Sequence, residues 1–168
     1  VIDIDTGKAV NKLDIGGPTG NAAAVSGDMV YFGSQSNVVL GVDWKKPEIV
    51  WEYKSEGRKA PYQSSAAVVD NLVILGGRDR TVHCLDAANG QAKWDFPTRG
   101  QIDGSPVVVG KRVYIGSTDG RLYGLDLQTG EKVWEYDSGS AFVSSPAVAA
   151  GRMVIGNDDG ELFCFGEK

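Results

Sequence analysis

Histidine is nearly absent from this chain. Its 168 residues contain one, His83, and only two cysteines, Cys84 and Cys164. One imidazole cannot build a multi-histidine metal site, and two thiols are too few for a disulfide framework or a cysteine-rich zinc site. No apolar run approaches the ~18 residues of a membrane-spanning helix, so no membrane span is predicted. Positive charge is also short: 17 Lys+Arg stand against 22 Asp+Glu, a net charge of −5. A nucleic-acid binder carries a basic face, so nucleic acid is not an expected partner, and the same balance disfavours anionic membrane surfaces. There is no Gly-x-Ser-x-Gly elbow. No segment keeps a helical period, so almost no helix is expected. Val1-Ile2-Asp3-Ile4-Asp5 has no initiator Met and shows no signal peptide; the chain reads as beginning inside a longer one.

What is abundant is glycine, 23 residues, and much of it is periodic. Gly33, Gly76, Gly116 and Gly156 follow one another at steps of 43, 40 and 40 residues. Asp3, Asp43, Asp86 and Asp126 step by 40, 43 and 40, and Trp51, Trp94 and Trp134 by 43 and 40. Independent markers with a common period identify an internal repeat. Within a unit, runs such as Arg112-Val113-Tyr114-Ile115 are rich in β-formers. Asp119-Gly120 and Asp159-Gly160 then supply the positive φ of a tight hairpin. Further turns stand at Asn89-Gly90 and Thr129-Gly130, and near Gly110-Lys111 and Gly151-Arg152. Each unit therefore reads as four antiparallel strands in about 40 residues, and repeated four-stranded sheets around an axis make a β-propeller. The expected fold is all-β, about four blades, with units near 1–15, 20–54, 64–97, 104–137 and 144–168.

These units resemble the pyrroloquinoline-quinone (PQQ) repeat family. The resemblance rests on Ser105-Pro106, the Gly116 to Gly120 hairpin, Leu122 to Asp126, Thr129-Gly130 and Trp134, with Ser145-Pro146 and Asp159-Gly160 repeating the pattern. It covers essentially the whole chain. It implies an arc of a ring of about seven or eight blades, completed by the remaining blades or by a second copy, the alternative being a compact four-blade ring. It further implies a non-catalytic scaffold in the periplasm or cell envelope, of the kind used in outer-membrane protein assembly. Such a scaffold would hold a protein partner or its extended segments, with no cofactor. Two other readings go with the family. One is the C-terminal half of a PQQ- and calcium-dependent dehydrogenase, the only reading that requires a cofactor, with Arg58, Arg99, Gln101 and Asp103 as candidate ligands. The other is the sensor domain of a signalling protein. The adjacent Cys-Cys pair frequent in the dehydrogenases is missing here.

Departures from the repeat point to candidate residues. Asn11 takes the tryptophan position in the first unit, Ala22-Ala23 replaces Ser-Pro, and Pro47 stands where other units have Gly. The loop before Ser65 is three residues longer than its counterparts and contains Arg58-Lys59-Ala60-Pro61-Tyr62-Gln63. A loop that breaks its own repeat, with cations beside an aromatic ring, is the candidate partner contact. Its residues are Arg58, Lys59, Tyr62 and Gln63, joined by Arg99, Gln101 and Asp103 of the next loop. No catalytic and no metal-binding residue is assigned. Asn157 to Glu161 lacks the ligand spacing of a calcium loop and reads as a turn. Cys84 and Cys164 share a position with Gly41 and Gly124, which calls for a small side chain. His83 stands where other units have Tyr123 and Phe163, so it reads as a ring filling an aromatic slot.

Overall fold

A computed structural model of the protein describes residues 1–166. Among them there are fifteen strands and no helix, in four antiparallel sheets. The first sheet is β1 (Ala24–Ser26), β2 (Met29–Gly33), β3 (Val39–Asp43) and β4 (Glu48–Tyr53). The second is β5 (Ala67–Val69), β6 (Leu72–Gly76), β7 (Thr81–Asp86) and β8 (Ala92–Pro97). The third is β9 (Val107–Val109), β10 (Arg112–Gly116), β11 (Arg121–Asp126) and β12 (Lys132–Asp137). The fourth has three strands among the described residues, β13 (Ala147–Ala149), β14 (Arg152–Gly156) and β15 (Leu162–Gly166). Residues 167 and 168 of the unit expected at 144–168 lie outside the described residues. In every sheet sequential strands are neighbours, the up-and-down order of a propeller blade.

The short inner strands line up, β1 beside β5, β5 beside β9 and β9 beside β13. The third and fourth strands of each complete sheet share one irregularity, between Gly41 and Val42, Cys84 and Leu85, and Gly124 and Leu125. The register therefore shifts at one equivalent place in the three complete sheets, where a bulge increases the local twist. The tight hairpin turns at Gly120 and Gly160 use φ values of 88° and 82°. In the second sheet Arg80 occupies that place at φ 73°, with no glycine to relieve it. Pro47, at the glycine place of another turn, has φ 21°, far from the −65° its ring prefers.

The core lies between blades. Tyr31, Val39 and Trp51 of the first sheet meet Val73, Leu75 and Leu85 of the second. Ile74, Val82 and Cys84 then meet Val113, Ile115 and Leu125 of the third. Leu122 meets Met153 and Ile155 of the fourth. Each connection between sheets drives one apolar side chain into this layer: Tyr62, Ile102 and Phe142. Three of the frame glycines make room for these wedges. A Cβ on Gly33, Gly76 or Gly116 would sit 2.3, 2.1 or 2.6 Å from Tyr62, Ile102 or Phe142.

The remaining repeat residues fasten neighbouring blades. The Trp51 indole N–H donates to Ala87 O at 2.9 Å, and Trp94 donates to Leu127 O at 3.1 Å. The ring then covers Gly90 or Gly130, whose Cβ would fall 2.5 or 2.6 Å from it. Asn11 occupies the same place before the first sheet, with its side-chain N–H 3.4 Å from Trp44 O. Leu13 and Ile15 accordingly cover Phe32, Leu40 and Val42. The motif serines form a ladder along the inner strands: Ala22 N donates to Ser65 Oγ at 3.0 Å, Ser65 N to Ser105 Oγ at 2.9 Å, and Ser105 N to Ser145 Oγ at 2.8 Å. Only the far side of the fourth sheet lacks such cover among the described residues. Leu162 is 76% exposed, where its counterparts Val39, Val82 and Leu122 are fully buried.

Candidate functional site

Antiparallel strands send alternate connections out at opposite ends. One end carries the short turns around Trp44, Ala87 and Leu127, tied by backbone bonds to Asp28, Asn71 and Lys111. Those turns are committed to blade docking, Ala87 and Leu127 through Trp51 and Trp94 and Trp44 through Asn11. The other end carries the longer loops 54–66, 98–106 and 138–146, together with the hairpin turns before β3, β7, β11 and β15. Backbone bonds join the two sets: Tyr62 N to Ser34 O, Arg78 N to Pro61 O, Ile102 N to Gly77 O and Thr118 N to Gln101 O. This loop face carries all seven candidate partner-contact residues.

The structure divides those seven. Arg58 and Lys59 are exposed. With Lys54 they line a cavity of about 290 Å³ whose other walls include Ser36, Asn37 and Tyr62. Tyr62, expected at the partner contact, is instead a wedge of the inter-blade core, 1% exposed, and reaches the cavity only at its floor. Burial pushes its phenol far above the ordinary range, with the Asp79 carboxylate adding to the effect. Gln63 is half-buried, and its Oε1 lies 3.2 Å from where a Cβ on Gly20 would stand. Asp103 accepts a bidentate pair from Arg78, 2.6 Å from Nε and 3.0 Å from Nη2. Gln101 uses its backbone oxygen to receive Thr118 N. Arg99 lines a separate cavity with Arg121, Tyr123 and Glu135. The donors the quinone-and-calcium reading needs therefore do not converge: Arg58 and Arg99 line different cavities, and both Asp103 oxygens are held by Arg78. Among the described residues no group of three or more His, Cys, Asp or Glu is placed to hold a metal.

A cluster unforeseen in the sequence lies beside the cationic loop. His83 is 1% exposed and sits between two carboxylates, Nε2 2.9 Å from Asp79 and Nδ1 2.8 Å from Asp95. The Tyr53 hydroxyl is 3.2 Å from the same Nδ1, and the Tyr53 and Tyr62 rings pack against the imidazole. Burial alone would lower the imidazole pKa. The hydrogen bonds and charges of Asp79 and Asp95 outweigh it and raise it to about 9, so His83 is an imidazolium at neutral pH. Tyr53 is pushed up to about 12 by burial and by Asp95 and Asp79. His83 and Asp95 border a cavity of about 660 Å³ that also includes Tyr53, Ser55 and Glu56. The aromatic-slot reading holds for position. Tyr123, in the equivalent slot of the third sheet, donates its hydroxyl to Asp119 at 2.8 Å, as His83 bonds Asp79.

The two cysteines are free, Cys84 buried and Cys164 exposed. Burial pushes the Cys84 thiol up to about 12, which leaves it unreactive. The small-side-chain requirement at this position is visible at Gly41, where a Cβ would stand 2.3 Å from Trp51. Trp44 is half-buried and covers the rim, its indole N–H 3.3 Å from Gly27 O. Among the described residues no helix is long and apolar enough to cross a membrane.

Comparison with known proteins places this architecture. The family described as outer membrane protein assembly factor BamB matches residues 1–98 and 78–166. No curated protein matches the chain in sequence. Among solved structures, BamB from Moraxella catarrhalis superposes with a TM-score of 0.80 at 21% identity, over 91% of this chain and 48% of that one. The chain thus spans about half the length of that BamB. The computationally designed Ika4 protein superposes with a TM-score of 0.80 at 17% identity, over 95% of this chain and 99% of that one. Quinohemoprotein alcohol dehydrogenase from Comamonas testosteroni gives a TM-score of 0.74 at 19% identity, over 84% of this chain and 29% of that one. At these identities the superpositions establish the fold alone.

Proposed function

The chain belongs to the PQQ-repeat β-propeller family of the outer membrane protein assembly factor BamB, and from that premise we propose that it is a non-catalytic scaffold of the bacterial cell envelope, holding a protein partner on its loop face. One observation carries this reading. Trp51, Trp94, three of the frame glycines and the motif serines are used up in docking blade to blade, which leaves the loop 54–66, longer than its counterparts and carrying exposed cations, as the surface open to a partner. The cationic cavity at Arg58 and Lys59 stands out there against a net charge of −5. The dehydrogenase reading draws on likeness of fold to a protein of which this chain spans 29%.

The test is binding of the purified chain to outer-membrane assembly complex isolated from the envelope of the source cells. A triple reversal on the loop face, Lys54→Glu with Arg58→Glu and Lys59→Glu, is compared with Lys111→Glu on the turn face. Loss of binding with the first and retention with the second supports the scaffold. Binding that survives the loop-face reversal, or dye-linked alcohol oxidation by the chain supplied with PQQ and calcium, overturns it.

A further inference from the structure

Arg58, Lys59 and Lys54 place three cations around one small cavity in a protein that is acidic overall. Lys54 reaches Glu52 at 3.3 Å across an exposed pair, which screens it only weakly. Neither Arg58 nor Lys59 has a carboxylate within ion-pair distance among the described residues, although eight such pairs form away from this cavity. Arg58 and Lys59, like charges side by side, repel, and the cost falls when an anion enters.

The walls narrow the choice of anion. Ser36, Asn37 and Ser55 supply uncharged polar groups, and the buried Tyr62 lies beneath the cavity floor. A volume of about 290 Å³ admits one or two side chains and not a folded domain. The planar Arg58 fork suits a carboxylate, and two flanking lysines suit a second one nearby. The floor is also firm. Tyr62 is packed against the His83 ring at 5.7 Å, and its backbone is tied to Ser34. A preformed cavity of this kind spends little on ordering when a peptide docks.

We infer that this cavity, floored by Tyr62 and ringed by Lys54, Arg58 and Lys59, binds an extended acidic segment of the partner protein through two adjacent Asp or Glu carboxylates. The inference rests on the scaffold reading and gives it a partner chemistry.

Fluorescence polarisation with a labelled ten-residue peptide carrying paired glutamates tests it, using the same peptide with glutamines as control. The glutamate peptide is expected to bind at least ten-fold more tightly than the glutamine one and to weaken between 25 and 250 mM salt. Arg58→Glu with Lys59→Glu is expected to cost at least a further ten-fold, with an unchanged thermal melt because both side chains are exposed. Equal binding of the two peptides overturns the inference, as does undiminished binding to the double variant. Displacement of the peptide by inorganic phosphate at lower concentration than by free glutamate makes this a phosphate site and overturns it too. If the peptide fails while the assembly complex still binds in a loop-dependent way, the acidic segment is wrong and the scaffold stands. If the peptide binds and the complex does not, the scaffold falls and the cavity remains an acidic-peptide site.

Discussion

At position 83 the chain holds a charge inside its core. The folded pKa of His83, about 9, is above the unfolded value of 6.5. Its contribution to stability is therefore fully present below pH 6.5 and is lost as the pH rises through 9. Asp79, Asp95, Tyr53 and Tyr62 face the imidazole, and both tyrosines remain protonated across that window. Denaturant midpoints of the native chain should fall between pH 6.5 and 9, by a stability change of order 2–3 kcal/mol. His83→Tyr recreates the Tyr123–Asp119 bond and should remove most of that slope. A slope unchanged in His83→Tyr would assign it to other groups. The slot was legible from the alignment of His83 with Tyr123 and Phe163. The two carboxylates were not, because Asp79 looked like one more turn aspartate and Asp95 aligns with the outer-strand glutamates Glu52 and Glu135.

At the scale of strands and turns, the repeat encodes docking as much as local conformation. Gly130 and Gly110 both have positive φ, 72° and 58°, so alanine strains either one. They differ in surroundings: a Cβ on Gly130 would meet the Trp94 ring at 2.6 Å, and one on Gly110 meets nothing within 4 Å. Gly110→Ala should cost about 1 kcal/mol and Gly130→Ala about 2–4 kcal/mol, since the indole must also be displaced. Urea unfolding of the two variants measures the difference, and equal losses would contradict docking through this glycine. The strands and the hairpin at Asp119-Gly120 could be read from β-propensity and turn chemistry. The second use of Gly130 could not, because its partner Trp94 belongs to the preceding blade. The serine ladder was hidden for the same reason: Ser105 and Ser145 repeat in sequence as a motif but bond each other across a blade boundary. Tyr62 was misplaced by its neighbours. A cationic loop suggested a surface, whereas alignment with Ile102 and Phe142 marks it as a core wedge.

For the molecule as a whole, burial is a property of neighbouring blades. Leu122 is fully buried under Phe142 and the fourth sheet. Leu162, its counterpart one blade on, is exposed. Leu122→Ala should cost about 2–5 kcal/mol, and Leu162→Ala less than about 0.5 kcal/mol, by thermal or urea unfolding of the chain. A loss at Leu162 near that at Leu122 would show that another surface covers this face in solution. The same architecture separates the two ends of the propeller. Turns at one end lock the blades, and loops at the other carry the exposed Arg58 and Lys59 around one cavity. The measurement that bears most directly on the scaffold is amide hydrogen exchange of the chain, free and bound to the outer-membrane assembly complex. Protection confined to loops 54–66 and 98–106 and the hairpin turns beside them is the predicted result. Protection on the turns around Trp44, Ala87 and Leu127, with the loops unchanged, would contradict it.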